Sequence, residues 1–568
     1  MAESLGRLCI VLHGHLPYVL HHGGWPHGEV WLFEAAAETY LPLLELLDEA
    51  AANDVSPEMT IGLTPVLLEQ LAHRRFRTGF VAYLHERIAR ARADAKDFDD
   101  ATDSRSARLA RRWENWYENK LEWFEKIQRD IPGQFAERQR EGLIQIITSA
   151  ATHAYLPLLL NEGMVRAQLL CGKQTSRRHL GDVSNGVWLP ECAYRPATDH
   201  WTPAALFGEM RTRAGLETIV ASAGLDHFFV DTRSITQAKP MGTMETEGFR
   251  SVFEAQLHWD HDSRGWHSPM DPVGVVSWPH KASCYAFARH PGVSQQVWSG
   301  TIGYPAAGEY LEFHRKHGER GLRYHKVTSR TTPLGEKQAY EPGDIAGKIY
   351  EHAQHFCSVV HEALSEFKKQ TGRAGTVVAP FDAELFGHWW FEGPRFLRDV
   401  IFTLASGSGG DSGIELSTTQ AVLAEHPPDK IMRLPEGSWG LNGDNSVWAN
   451  EQTKWMWEIE YRAEGRLLRA LDELPWRRMP EVKRMLERSA RQLLLMQASD
   501  WPFIVHSGTA TDYAIQRFSG HATRFDRMMA IAETLCAGGV PGDLERVQIA
   551  EADAHDDVFA EIDLEWWT

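Results

Sequence analysis

The chain has 568 residues, 43% of them hydrophobic, a formal net charge of −18 and 21 tryptophans. That length accommodates roughly three to four ordinary domains, or one large barrel with additions. The acidic balance argues against a nucleic-acid or anionic-membrane surface, which needs clustered Lys and Arg, and it suits a neutral substrate such as a carbohydrate.

Apolar, β-rich runs predict strands at 8–12, 59–63, 143–148, 186–190, 227–231, 274–278 and 376–380. Amphipathic helices follow several of them, as at 34–47 and 345–369. Alternating strand and helix predicts a parallel α/β architecture. Polar residues recur where strands end: His13, His15 and Tyr18, then Thr64, then Thr152 and His153, then Glu191, and finally Asp382. In a (β/α) barrel the C-terminal strand ends form the active-site face, so these residues are expected to share one site. Residues 70–140 interrupt the alternation. There Trp113, Trp116, Tyr117, Lys120, Trp123, Phe124 and Ile127 fall largely on three- and four-residue spacing, which predicts a helical insertion with its aromatic stripe in the core. The Gly/Ser-rich stretch from Ser406 to Gly413 predicts a linker, taken as 406–430. Helices predicted at 450–474, 479–497 and 509–537 make a helical C-terminal domain, 431–537, after a catalytic domain over 1–405. An acidic tail, 538–568, ends in Trp566-Trp567, and that pair is expected to dock on the body. The six cysteines are scattered, with no C-x-x-C pair, and are expected as free thiols. No leader and no membrane span are predicted, so the expected compartment is the cytoplasm.

Two segments carry most of the chemistry. One is Trp188-Leu189-Pro190-Glu191-Cys192-Ala193-Tyr194; the other is Phe381-Asp382-Ala383-Glu384-Leu385-Phe386-Gly387-His388-Trp389-Trp390. Each sets a carboxylate among aromatic residues at a strand end, where burial disfavours the charged form. Two such groups, with flat rings for stacking on sugars, predict glycosidic-bond chemistry by a carboxylate pair. A helix cap or a buried ion pair is the plainer reading of either acid alone. His13 and His15 alternate on a strand end and point the same way, as a zinc-binding pair also would. His153 is expected beside them, or else as a satisfied core histidine. His388 is placed to orient Asp382 or to touch substrate. Trp298, Trp439 and Trp448 are expected to line a sugar-binding groove, a buried tryptophan with no sugar contact being the plainer reading of any one of them, with Trp25 and Trp31 as weaker candidates. Asp500, beside Trp501 on a helix end, is expected to close the groove from the C-terminal domain.

These blocks resemble glycoside hydrolase family 57, and within it the 1,4-α-glucan branching enzymes. His13-Gly14-His15-Leu16-Pro17-Tyr18, Gly62-Leu63-Thr64-Pro65, the Glu191 block and the Asp382 block are similar to the family's first four, and Ser438-Trp439-Gly440 with Asp444 to Trp457 to its looser fifth. Glu191-Cys192-Ala193-Tyr194-Arg195-Pro196, Val297-Trp298-Ser299-Gly300 and Ser499-Asp500-Trp501-Pro502-Phe503 are similar to the branching subgroup in particular. The resemblance implies an incomplete (β/α)7 TIM-like barrel with a helical insertion and a helical C-terminal domain. It implies Glu191 as nucleophile, Asp382 as acid/base, and histidines that bond sugar hydroxyls. It also implies no metal, no cofactor, and α-1,4-glucans such as amylose, amylopectin or glycogen as substrate. The chain is expected as a monomer or homodimer. One departure stands out: related enzymes place a loop Tyr over the cleft, and no Tyr occurs between Asp231 and Pro272. An α-amylase-like hydrolase or a 4-α-glucanotransferase is the alternative activity, and a non-catalytic glucan-binding protein a more distant one.

Overall fold

The computed structural model describes residues 4–24, 27–204, 211–245, 256–258, 267–277, 284–343, 345–405 and 413–568. Seven parallel strands form its centre: β1 (Gly6–Gly14), β2 (Met59–Leu63), β3 (Ile144–Ser149), β4 (Gly186–Trp188), β5 (His227–Val230), β6 (Cys284–Ala288) and β7 (Gly375–Asp382). Their order across the sheet is β7-β1-β2-β3-β4-β5-β6. They read as nearly continuous apolar runs because helices cover one face and side chains fill the other. All five residues of β2 and all six of β3 are buried. Among the described residues β6 and β7 share no ladder, so the barrel is incomplete. The chain leaving β6 still reaches β7, where the His290 N–H donates to the Val378 carbonyl at 2.9 Å.

The structure corrects the sixth strand. The run expected at 274–278 is a short strand, Val273–Val275, that runs antiparallel to β6. Burial gives both runs the same apolar composition, and composition carries no strand direction. Val273–Val275 leads the sheet out of the barrel through Lys430–Arg433, Lys239–Glu245 and Gln256–His258. The linker expected over 406–430 is likewise revised. Residues 406–412 lie outside the described residues, but Ile414–Leu416 pairs with β1 and Lys430–Arg433 joins the sheet.

Between β2 and β3 stands a helical hairpin of α1 (Arg74–Asp100) and α2 (Ser104–Lys126). Trp113, Tyr117, Lys120 and Phe124 of the aromatic stripe are buried, and the Trp113 indole donates to the Arg323 carbonyl at 2.8 Å. Helix α3 (Ile345–Thr371) precedes β7. After the sheet come α4 (Lys454–Glu473), α5 (Pro480–Met496), α6 (Asp500–Ser507) and α7 (Thr511–Cys536), which pack together. In the acidic tail, α8 (Asp543–His555) is followed by a turn that buries Trp567 against the Glu162–Leu180 helix. All six cysteines are free. No helix among the described residues is long and apolar enough to cross a membrane.

Candidate active site

The C-terminal strand ends surround a cavity of about 600 Å³. Register does the first part of the assembly: β1 lies on β7 with His13 directly opposite Asp382. Beyond β4 the chain turns sharply, and Glu191 (φ 63°) and Cys192 (φ 48°) take left-handed backbone conformations, as does His153 (φ 57°) after β3. Such conformations cost of order 1–3 kcal/mol each in non-glycine residues and persist where surrounding structure imposes them. Here they aim Glu191 and His153 into the cavity.

Glu191 is held from two sides. The Trp439 indole N–H donates to its Oε2 at 2.8 Å, and the Ser499 hydroxyl lies 3.5 Å from Oε1. Burial pushes its carboxyl up to about 7, against the Trp439 hydrogen bond, which favours the carboxylate. Asp382 is pushed well above the ordinary aspartate range, first by burial and then by the neighbouring Glu384 and Glu191 carboxyls. Like charges crowded into one cavity do not all ionise, so burial and mutual repulsion favour the protonated form within this carboxyl cluster.

The three histidines divide by charge. His13 Nε2 and His153 Nε2 lie 3.0 Å apart, and His153 Nδ1 lies 2.9 Å from the Ser499 hydroxyl. Burial and neighbouring imidazoles hold both rings well below the usual histidine range, so both are neutral and one Nε2–H serves the other. His15 is raised: burial opposes its charge, but Asp500, Glu384 and Glu191 together outweigh it. Its Nε2 meets Asp500 at 3.0 Å and its Nδ1 meets the Thr64 hydroxyl at 3.1 Å. The rings stack in sequence, Trp188 on His13 at 4.6 Å and His15 on His153 at 4.0 Å between centroids. Donor atoms of His15, His153 and Asp500 lie within 4.8 Å of one another, a spacing that would also suit a metal ion. His15 and Asp500 are already spent on each other, and His153 Nε2 on His13.

His13, His15, His153, Glu191, Asp382, His388, Trp439 and Asp500 all line the cavity, as does Trp31. His388 does not hydrogen-bond to Asp382. Its Nδ1 lies 3.5 Å from Glu38, which Arg323 holds at 2.7 Å, and its N–H donates to Thr39. Trp298 stands outside the lining; it packs edge-on against Trp439 at 5.8 Å and reaches the Pro380 carbonyl. Trp448 is a correction. It is buried in a separate aromatic cluster, stacked on Tyr155 at 4.4 Å, with Trp201, Trp457 and Tyr461 around it. A tryptophan in a mixed segment carries no mark of which way it faces. Trp25, and most of the segment between Lys239 and Pro272, lie outside the described residues.

Sequence reasoning missed Glu384 and Ser499. Glu384 is buried in the cavity wall, where the Tyr40 hydroxyl and the His15 N–H both donate to it. Its position two residues beyond Asp382 in the same block was the available signal. Ser499 opens the block similar to the branching subgroup, but that block does not show that it bridges His153 and Glu191 from the C-terminal bundle.

The family model for glycosyl hydrolase family 57 matches residues 9–435, and that for the 1,4-alpha-glucan branching enzyme C-terminal region matches residues 460–567. The 1,4-alpha-glucan branching enzyme TK1436 of Thermococcus kodakarensis is 37% identical over 530 residues, 92% of this chain and 73% of that protein. Its crystal structure superposes with a TM-score of 0.87, covering 99% of this chain and 96% of that one at 35% identity. The branching enzyme of Pyrococcus horikoshii gives 0.87 at 34% identity, covering 99% and 97%. The α-amylase AmyC of Thermotoga maritima gives 0.80 at 26% identity, covering 99% of each chain. With the barrel, the paired carboxyls and these matches together, the chain belongs to glycosyl hydrolase family 57.

Proposed function

We propose that this chain is a 1,4-α-glucan branching enzyme that works by retaining double displacement. The observation that carries the reading is the convergence of Glu191 and Asp382 on one imidazole- and tryptophan-lined cavity, in a chain that matches the branching-enzyme C-terminal model as well as the family model. Glu191, as carboxylate, attacks the anomeric carbon of an α-1,4-linked glucose. Asp382, as acid, protonates the departing 4-oxygen. A glucosyl ester on Glu191 results, and Asp382 is left ionised. The 6-hydroxyl of another glucan chain then attacks the same carbon, gives its proton to Asp382 and frees Glu191, leaving an α-1,6 branch. Cationic His15 and neutral His13 and His153 supply hydrogen bonds to ring hydroxyls as positive charge develops on the sugar.

Incubation with amylose followed by isoamylase digestion tests this. New short chains released by isoamylase are expected; reducing ends that rise without such chains would exclude branching. Glu191→Gln is expected to abolish turnover and keep glucan binding. Activity is expected to survive EDTA, with no bound metal by elemental analysis. Hydrolysis is the second reading. The likeness to the α-amylase AmyC and the absence of any Tyr between Asp231 and Pro272 favour it.

A further inference from the structure

The family chemistry accounts for the floor of the cavity but leaves its mouth unexplained. Among the described residues only Tyr350, Trp389 and Phe503 are large aromatic side chains that stand exposed, and two of those three line this one cavity. Trp389 is 47% exposed and Phe503 46%. Exposed aromatics gathered at a single opening mark a binding surface more than scattered ones do. They come from different parts of the chain. Trp389 sits on the loop that follows Asp382, steadied by Phe313 at 4.5 Å between ring centroids. Phe503 sits on α6, whose N-terminal end brings Ser499 to Glu191 and Asp500 to His15. A rigid element that touches the nucleophile therefore also presents a flat apolar ring at the entrance.

We propose that Phe503, with Trp389, forms the stacking platform for the accepting glucan chain, and so sets the partition of the glucosyl ester between a sugar 6-hydroxyl and water. This rests on the branching reading and deepens it. Asp382 must protonate the leaving oxygen and later take the proton of the acceptor, so the accepting chain has to pass the loop that Asp382's own strand carries, where Trp389 stands. Phe503 supplies the other apolar surface of the same mouth. A ring on a sugar's C–H face holds the chain without fixing its register, as a polymer acceptor requires. With the platform gone, the acceptor dwells less and water takes more of the ester. In both outcomes the C1–O bond to Glu191 breaks, a C1–O bond to the incoming oxygen forms, and Asp382 takes that oxygen's proton.

The test is the ratio of isoamylase-releasable chains to new reducing ends on amylose. Because the ring is exposed, Phe503→Ala and Phe503→Leu should fold, and far-UV circular dichroism checks this. Both are expected to lower the ratio roughly two- to tenfold, the range expected for loss of an aromatic stack. Phe503→Trp is expected to restore it, and the exposed control Leu544→Ala to keep the wild-type ratio. Ala and Leu variants with the wild-type ratio would overturn the proposal. So would a Phe503→Ala enzyme in which cleavage and transfer fall in equal proportion, since the ring would then serve the donor chain. A wild-type enzyme that makes no branches at all would sink the branching reading instead.

Discussion

Glu191 shows how one hydrogen bond tunes a buried carboxyl, the proposed nucleophile. Burial alone would keep the carboxyl protonated at neutral pH. The Trp439 indole, 2.8 Å from Oε2, stabilises only the ionised form and is the largest of the contacts that oppose burial, which together leave the group at about 7. Asp382 is raised well above the ordinary aspartate range by burial and by the neighbouring Glu384 and Glu191 carboxyls. With Glu191 as the proposed nucleophile and Asp382 as the proposed acid, the pH profile of kcat should be bell-shaped, with the acid limb set by Glu191 and the basic limb by Asp382. Trp439→Phe keeps an aromatic ring for the sugar and removes the donor. A hydrogen bond to a charged group is worth roughly 1.5–3 kcal/mol, which corresponds to about one pH unit or more. The acid limb is expected to move to higher pH by that amount. A lost sugar contact would change KM and leave the limb where it was, so an unmoved limb would show that the indole binds substrate without tuning Glu191.

At the scale of elements, the loop after β7 is the most constrained piece of the site. Gly387 has φ 121°, and a Cβ there would lie 1.7 Å from the Glu38 carbonyl oxygen. Glu38 belongs to a π-helical turn, Ala36–Tyr40, whose Thr39 accepts from the His388 N–H and whose Tyr40 donates to Glu384. Turns of this kind recur at functional sites, and here one seats the loop that follows Asp382, the proposed acid/base. Gly387→Ala is expected to cost about 1–3 kcal/mol for the backbone alone, with the clash added. A lower melting temperature and a large fall in kcat would follow; an unchanged kcat would mean that the loop does not position Asp382. The same region shows what a sequence reveals. Strand ends at His13, Glu191 and Asp382 were legible because apolar runs stop there at polar residues. Val273–Val275 was misread because the two runs bracketing 276–283 are equally apolar, and only pairing fixes direction. Trp448 was misplaced for a similar reason: an aromatic beside a groove and one behind it have the same local pattern. Ser499 and Phe503 reach the site from the C-terminal bundle, through tertiary contacts that periodicity does not encode.

Across the whole molecule, the tail closes the structure on itself. Asp556, just past α8, is fully buried; it meets His22 Nε2 at 2.9 Å and accepts from Gln492 at 2.8 Å and Arg524 at 2.8 Å. One carboxylate thus joins the tail, α5, α7 and the loop that follows β1, which leads on to the cavity residues His27 and Trp31. Burial works against its charge, but the His22 hydrogen bond and the positive groups around it prevail and hold it far below the ordinary aspartate range. A folded-state pKa below the unfolded one gives stability that is fully present above about 4 and is lost as pH falls further. Asp556→Asn leaves the half-buried Arg524 without its counter-charge, and since removing one partner of a fully buried pair costs roughly 3–5 kcal/mol, the loss here is expected at or below the lower end of that range. Urea unfolding at pH 7 should show that deficit. Below pH 4 the wild type should lose about 1.4 kcal/mol of its advantage for each unit of pH, so the two stability curves are expected to converge in acid. Parallel curves from pH 7 to pH 3 would mean that Asp556 holds the tail through its shape and hydrogen bonds, with its charge contributing nothing.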